Sequence, residues 1–178
     1  GSNNDEWSLY FDGNVNIDLW LDQETTPEKK IKLLELLDDI KDPVRKMDLL
    51  ITAKNFVCPS LFMADELGKK GGKTWVYQFN RVRDDKLAKK YGAFHGAELP
   101  YVFDTHDEWL PTNEKDRELT REIQSYWLSF AKTGNPNNGD SVTWPEYDSY
   151  NDSTLVLDDE IYQRNHESSE ICKIMDLF

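Results

Sequence analysis

The chain has 178 residues, with 21 Lys and Arg against 34 Asp and Glu, which gives a formal net charge of −13 at pH 7. This charge repels phosphate backbones and anionic lipids, and no uninterrupted apolar run approaches the roughly 18 residues of a membrane-spanning helix. We therefore expect neither a nucleic-acid partner nor a membrane partner. Only 38 % of the residues are hydrophobic, but 12 % are aromatic, so the composition predicts a folded chain with a thin core rather than a disordered acidic tail.

Three segments in the N-terminal half have helical periodicity. Apolar residues repeat every three or four positions in residues 28–41, in the stretch that restarts at Pro43, and in residues 56–67. Pro59 lies in the first turn of the third segment, where its missing N–H is harmless. Gly68 then begins a glycine-rich run that ends this helix. The pattern predicts three consecutive helices.

The rest of the chain contains two predicted strands and two predicted helices. Residues 74–80 are short, β-branched and aromatic, which is typical of a buried strand in a parallel or mixed sheet. The strongest helix is predicted over residues 115–132, with Gly134 as its C-terminal stop. Residues 154–157 are predicted to form a second short strand, and residues 170–178 a final helix. Since one central strand cannot make a sheet, we expect that the strands that pair with it lie elsewhere and that the chain is part of a larger protein or assembly.

The two cysteines, Cys58 and Cys172, are far apart in the sequence. Their number and spacing indicate neither a disulfide framework nor a zinc site, although a single bridge between them remains open. The cellular compartment is left open as well, with the cytoplasm slightly favoured.

Two sequence patterns resemble ligand-binding loops without meeting their requirements. The glycine-rich run of residues 68–74 has three residues instead of four between its first Gly and the Gly-Lys-Thr, and it leads from a helix into a strand. Asp12, Asn14 and Asn16 match the first ligands of a calcium loop, but Ile17 and Gln23 replace its required Gly and Glu. We interpret residues 12–23 as a polar surface turn, and we expect no cofactor and no bound metal.

Only one of the three histidines lies in a sequence context that suggests chemistry. His106 and His166 lie among charged residues, which predicts that both are solvated. His95 lies between Gly92 and Gly96, in a loop of small residues that follows the strand at 74–80. An α/β-hydrolase keeps its general base on a loop after a sheet strand, whereas an ordinary structural histidine is the alternative.

The residues around His95 resemble the type-B carboxylesterase family, which includes cholinesterases and bacterial para-nitrobenzyl esterases. The family places its catalytic histidine in a Gly-x-x-His-x-x-Glu-Leu motif, which here is Gly92, His95, Glu98 and Leu99. Further family markers follow in order: Trp127, residues 130–134, Pro136-Asn137, Trp144-Pro145 and Tyr147. The resemblance implies that His95 is the general base of a catalytic triad.

The start of the chain also resembles the family. Residues 1–6 match its Gly-x-x-x-Asp-Glu segment, which implies that Glu6 is the acidic member of the triad. Trp7 stands where the family usually has Gly. Glu98 is an alternative acid because it is close to His95 in sequence, but we expect Glu98 to anchor the loop instead.

The chain contains no Gly-x-Ser-x-Gly segment, which would carry the family's nucleophile. The resemblance therefore implies that residues 1–178 are the C-terminal part of an α/β-hydrolase fold, mostly helices plus the last strands of the central sheet. The nucleophile and the oxyanion-hole glycines would belong to a preceding N-terminal part, which is the expected protein partner. The intact parent is expected to hydrolyse a small-molecule carboxylic ester through an acyl-enzyme, and this chain alone is expected to be inactive.

Two other functions are compatible with the sequence. A non-catalytic, cholinesterase-like adhesion module would share the fold, and the residue at the centre of the missing nucleophile segment would distinguish it. An acidic interaction domain unrelated to esterases is the second alternative.

Overall fold

A computed structural model describes residues 16–106, 111–139, 141–165 and 170–177. Its three strands form one mixed sheet in the order β1-β2-β3, with β1 at one edge. The strands are β1 Val76–Phe79, β2 Thr154–Leu157 and β3 Tyr162–Arg164. β1 and β2 are parallel and pair Val76 with Thr154, whereas β2 and β3 are antiparallel.

Helices surround this small sheet in the described part of the chain. They are α1 Ile17–Glu24, α2 Pro27–Leu36, α3 Pro43–Thr52, α4 Cys58–Lys69, α5 Lys86–Tyr91, α6 Leu99–Phe103, α7 Glu114–Thr133 and α8 Glu170–Met175, with a π-helical turn at Ala53–Val57. The parallel strands β1 and β2 are joined by the crossover that contains α5, α6 and α7. Such a crossover is how a chain connects two parallel neighbours in one sheet.

The structure confirms the strongest local predictions and corrects others. β2 has the predicted bounds, and α7 extends the predicted helix by one residue at each end. β3 was not predicted because its sequence, Tyr-Gln-Arg, lacks an apolar pattern. The prediction of a polar turn through residues 12–23 is wrong from residue 16 onward: the Asn16 side chain accepts a hydrogen bond from the Leu19 N–H at 3.0 Å and begins α1. Residues 12–15 lie outside the described residues.

α7 packs on the sheet through one face. Asn113 and Asp116 form a reciprocal capping box at its start, and Gly134, with φ 75°, ends it in the left-handed region. Leu119, Ile123 and Tyr126 are buried in the main core beside β1 and β2. Phe130 lies further along the helix, where it is 50 % exposed and packs edge-on against Trp75 with 5.7 Å between ring centroids.

Helix α3, the π-helical turn and α4 form one continuous helical stretch, Pro43–Lys69. By length and composition it is the one helix in the described ranges that could cross a membrane, and half of its most apolar segment is buried inside the protein. The core helix of a folded protein passes the same test. Met47, Leu50 and Leu61 are among its buried apolar residues, while Phe62, Met63 and Leu67 are exposed.

A disulfide bond joins Cys58, at the start of α4, to Cys172 in α8. The sequence left this bridge open but did not indicate it, because nothing local to either cysteine identifies its partner. Both residues are completely buried and pack with Ala53 and Leu61. The bridge fixes the C-terminal helix to the middle of the long helical stretch.

Candidate active site

The loop that carries His95 is shaped by two glycines. Gly92 has φ 70° and Gly96 has φ 85°, and both values lie in the left-handed region that residues with a Cβ rarely adopt. Backbone hydrogen bonds close the loop, from the Ala97 N–H to the Phe94 carbonyl at 3.0 Å and from the Leu99 N–H to the Gly96 carbonyl at 3.1 Å. The loop then enters α6 directly, so the position of His95 depends on how α6 is held.

The His95 side chain is exposed, as a general base that must reach a substrate requires. Its imidazole stacks on the ring of Phe56, with 4.9 Å between ring centroids and 30° between ring planes. Glu6, the predicted triad acid, lies outside the described residues. The contact between Glu6 and His95 therefore stays a prediction.

Glu98 is half-buried, and its negative charge acts on a tyrosine of the sheet. Burial, and after it the negative charge of Glu98, raise the pKa of Tyr77 in β1 to about 12. The carboxylate of Glu98 is thus close enough to Tyr77 to disfavour the phenolate. The role of Glu98 as an anchor of the loop stays a prediction.

A buried ionic network holds α6 in place. Asp116, at the start of α7, is 1 % exposed and Arg81, after β1, is 5 % exposed. Arg81 donates from Nε to Asp116 Oδ1 at 2.8 Å, and the Tyr101 hydroxyl in α6 donates to the same oxygen at 2.7 Å. The backbone N–H of Asn113 donates to the other carboxylate oxygen, Asp116 Oδ2, at 2.9 Å. The network therefore joins the exit of β1, helix α6 and the start of α7.

The protonation states of this network follow from its hydrogen bonds. Burial by itself would raise the pKa of Asp116, but the hydrogen bonds from Arg81, Asn113 and Tyr101 outweigh it and hold that pKa below its usual value. Burial, together with the hydrogen bond to Asp116, raises the pKa of Tyr101. Asp116 is therefore ionised and Tyr101 is a neutral donor at neutral pH.

The prediction that His106 is a solvated histidine is wrong. Arg83 Nη2 lies 3.1 Å from His106 Nδ1, and His106 Nε2 lies 2.6 Å from Thr120 Oγ1, which donates to the Asp116 carbonyl. Only the neutral imidazole protonated at Nε2 accepts from Arg83 and donates to Thr120 at once. Burial, and then the charge of Arg83, lower the pKa of His106 in agreement with this tautomer.

The second histidine predicted to be solvated, His166, lies outside the described residues. Sequence reasoning missed the Arg81 and Asp116 pair because the partners are 35 positions apart. Asp116 was not singled out from the sequence. The signal that could have pointed to it is a carboxylate at a capping position that is followed by a long amphipathic helix.

The structure describes the first rejected ligand-loop pattern in full and the second only from Asn16 onward. Gly68 lies in α4, and the run 68–74 leads from that helix to β1, as predicted. Asn16 caps α1. In the described ranges, the structure brings together no group of three or more His, Cys, Asp or Glu side chains that could hold a metal ion.

Comparisons with known proteins identify relatives over most of the chain. A model of the carboxylesterase family matches residues 12–175. The para-nitrobenzyl esterase of Bacillus subtilis (strain 168) is 38 % identical over 101 residues, which cover 54 % of this chain and 20 % of that protein. The acetylcholinesterase of Gallus gallus is 35 % identical over 133 residues, which cover 72 % of this chain and 15 % of that protein.

The solved structures similar to this chain include a thermophilic PNB esterase. It is 27 % identical, with a TM-score of 0.70 over 96 % of this chain and 36 % of that chain. The present chain thus spans about a third of the solved esterase and a fifth or less of these two curated relatives. The predicted fold class, part of an α/β-hydrolase with mostly helices and a small sheet, is confirmed. Because the family model matches all but the first eleven and the last three residues, the chain belongs to the carboxylesterase family.

Proposed function

We propose that this chain supplies the general base and the acid of a serine carboxylesterase, whose nucleophile lies on a preceding part of the protein. The observation that carries the proposal is the exposed His95 on a glycine-shaped loop after β1, in a chain of the carboxylesterase family. Ligands of open α/β sheets bind outside the carboxyl ends of the parallel strands, and the loop follows such an end.

In this proposal His95 moves the proton and Glu6 orients His95. His95 takes the proton of the attacking serine and gives it to the leaving alcohol; later it takes a proton from water and returns it to the serine oxygen as the acid is released. Glu6 would hold the imidazole in the required tautomer and stabilise the imidazolium. Residues 1–178 would form the C-terminal segment of the catalytic domain, and the substrate would be a small-molecule carboxylic ester.

The test is reconstitution with the upstream part of the reading frame. The chain alone lacks a Gly-x-Ser-x-Gly segment and is expected to hydrolyse p-nitrophenyl acetate no faster than free imidazole at the same concentration. Joined to the upstream part, it is expected to gain turnover, which His95→Ala lowers by about 10⁴-fold or more. Added imidazole should restore part of the rate in His95→Ala, and Glu6→Gln should reduce turnover strongly.

A matched control separates loss of the base from damage to the loop. Leu99 is 50 % exposed at the start of α6, and Leu99→Ala is expected to keep most of the turnover. Full turnover in His95→Ala would refute the assignment of the base. An upstream part with Gly in place of the nucleophilic Ser, together with no hydrolysis, would favour the adhesion module instead.

A further inference from the structure

Phe56 is the aromatic side chain that stacks on His95. It lies in the π-helical turn Ala53–Val57, far from His95 in sequence, and the two rings stack with 4.9 Å between centroids. Phe56 is half-buried, whereas His95 is exposed. One face of the imidazole is therefore covered by the protein while its edge stays accessible.

The π-helical turn explains why Phe56 points away from the core. Its hydrogen bond runs from the Cys58 N–H to the Ala53 carbonyl, five residues back, which inserts one extra residue into the helix. Ala53 is buried, and an uninterrupted α-helix would next bury a residue three or four positions later, at 56 or 57. The next fully buried residue is instead Cys58. The insertion thus lets Phe56 face His95.

Packing on both sides holds this turn. Ala53 and Cys58 belong to one buried cluster, and the disulfide ties Cys58 to Cys172 only two positions after Phe56. Val76, the first residue of β1, packs against the same cluster. The backbone that carries Phe56 is therefore fixed to the strand that precedes the His95 loop.

Stacking suits a histidine that exchanges protons at two edges. The contact with Phe56 uses the face of the imidazole, so Nδ1 and Nε2 remain free in the ring plane for an acid on one side and a nucleophile on the other. An aromatic face also tolerates a transient imidazolium, because the ring quadrupole attracts cations. A hydrogen bond from a side chain at position 56 to a ring nitrogen would displace the acid or the nucleophile, whereas stacking leaves both ring nitrogens to them.

We propose that Phe56 is a positioning residue, which fixes the ring plane of His95 by stacking, and that the π-helical turn exists to place it. The proposal rests on the proposed function of His95 as the base. It assigns the role to the Phe56 ring itself, so another aromatic residue can replace Phe56 and an aliphatic residue cannot.

The first test does not depend on activity. In the protein labelled with ¹³C at the histidine Cε1 positions, the His95 resonance, assigned with His95→Gln, is expected to lie upfield because of the Phe56 ring current. Phe56→Leu should abolish this displacement and Phe56→Tyr should keep it. The matched control is Phe62→Leu, since Phe62 lies in the same helical stretch and is 48 % exposed. A His95 resonance unchanged in Phe56→Leu would overturn the proposal.

The second test uses the reconstituted esterase with p-nitrophenyl acetate. Phe56→Leu is expected to lower kcat by about 3- to 10-fold with KM nearly unchanged, while Phe56→Tyr and Phe62→Leu keep the parent values. Equal kcat in Phe56→Leu and the parent, or equal losses in Phe56→Leu and Phe56→Tyr, would overturn the positioning role. Absence of hydrolysis in the parent would refute the proposed function instead, and the resonance would still report whether the stacking exists.

Discussion

Asp116→Asn tests the buried network that holds helix α6 behind the His95 loop. The substitution keeps the shape of the side chain and removes its charge. Of its carboxylate partners, Arg81 would then retain Asp159 and Asp84, whose side chains are 39 % and 68 % exposed. The new amide group also replaces one acceptor oxygen, so either Asn113 or the pair of Arg81 and Tyr101 loses its acceptor.

The magnitude follows from burial. The side chains of Arg81 and Asp116 are 4 % and 1 % exposed, so the guanidinium is left almost without solvent when its main partner is neutralised. Breaking a buried ion pair in this way costs about 3–5 kcal/mol of the free energy of unfolding. The matched control is Asp159→Asn, which removes a partly exposed partner of Arg81 and should cost about 1 kcal/mol or less.

The assay is guanidinium-induced unfolding at pH 7, followed by tryptophan fluorescence. The variant Arg81→Met is combined with Asp116→Asn in a double-mutant cycle, and the double variant should lose less than the sum of the two single losses because no uncompensated charge remains. Since the pKa of Asp116 is held below its ordinary value of 3.8, the network contributes fully above that pH. The difference between parent and Asp116→Asn should therefore shrink as the pH falls through the lowered pKa.

Two outcomes would refute this reasoning. A loss below about 1 kcal/mol in Asp116→Asn would mean that the ion pair is not buried in solution. Strict additivity in the cycle with Arg81→Met would mean that the two side chains do not interact.

The remaining predictions concern the disulfide, His106 and two glycines. Replacing both Cys58 and Cys172 by Ala should lower the free energy of unfolding by about 2–5 kcal/mol, because the bridge closes a loop with a sequence separation of 114; a reductant should have the same effect on the parent and none on the double variant in thermal melts. The pKa of His106 is lowered from 6.5, so its contribution to the free energy of unfolding is complete above about pH 6.5 and is lost as the pH falls through the lowered pKa. His106→Gln should flatten the dependence of Tm on pH in that range, and an unchanged slope would contradict the half-buried neutral tautomer. Gly96→Ala should lower the free energy of unfolding by about 1–2 kcal/mol, and lower the rate of the reconstituted esterase, because φ is 85° at this position. Gly68→Ala, in open space within α4, should leave the free energy of chemical unfolding unchanged or raise it by up to about 1 kcal/mol.

The sequence was sufficient where the determining residues are neighbours in the chain. The bounds of β2 were predicted from a short apolar run, and those of α7, to within one residue at each end, from apolar periodicity and a terminal glycine, all of which are local signals. The motif around His95 is equally local, because Gly92 and Gly96 prescribe the backbone of the loop in which His95 lies between them. The family resemblance rested on short contiguous motifs of this kind, around His95 and at several other points of the chain, and was confirmed by the family match.

Only the tertiary structure decided which distant residues meet. The Cys58 and Cys172 bridge, the Arg81 and Asp116 pair and the stacking of Phe56 on His95 each join separate elements, and no periodicity within one element specifies the partner in another. His106 was assigned to solvent from its charged neighbours, yet packing against Tyr101 and Thr120 buries part of it. The patterns of charge and hydropathy are visible in the linear sequence, whereas the burial of a side chain and its partners depend on how the helices pack with the sheet. In that packed arrangement one face of the His95 ring stacks on Phe56, while the side chain stays exposed.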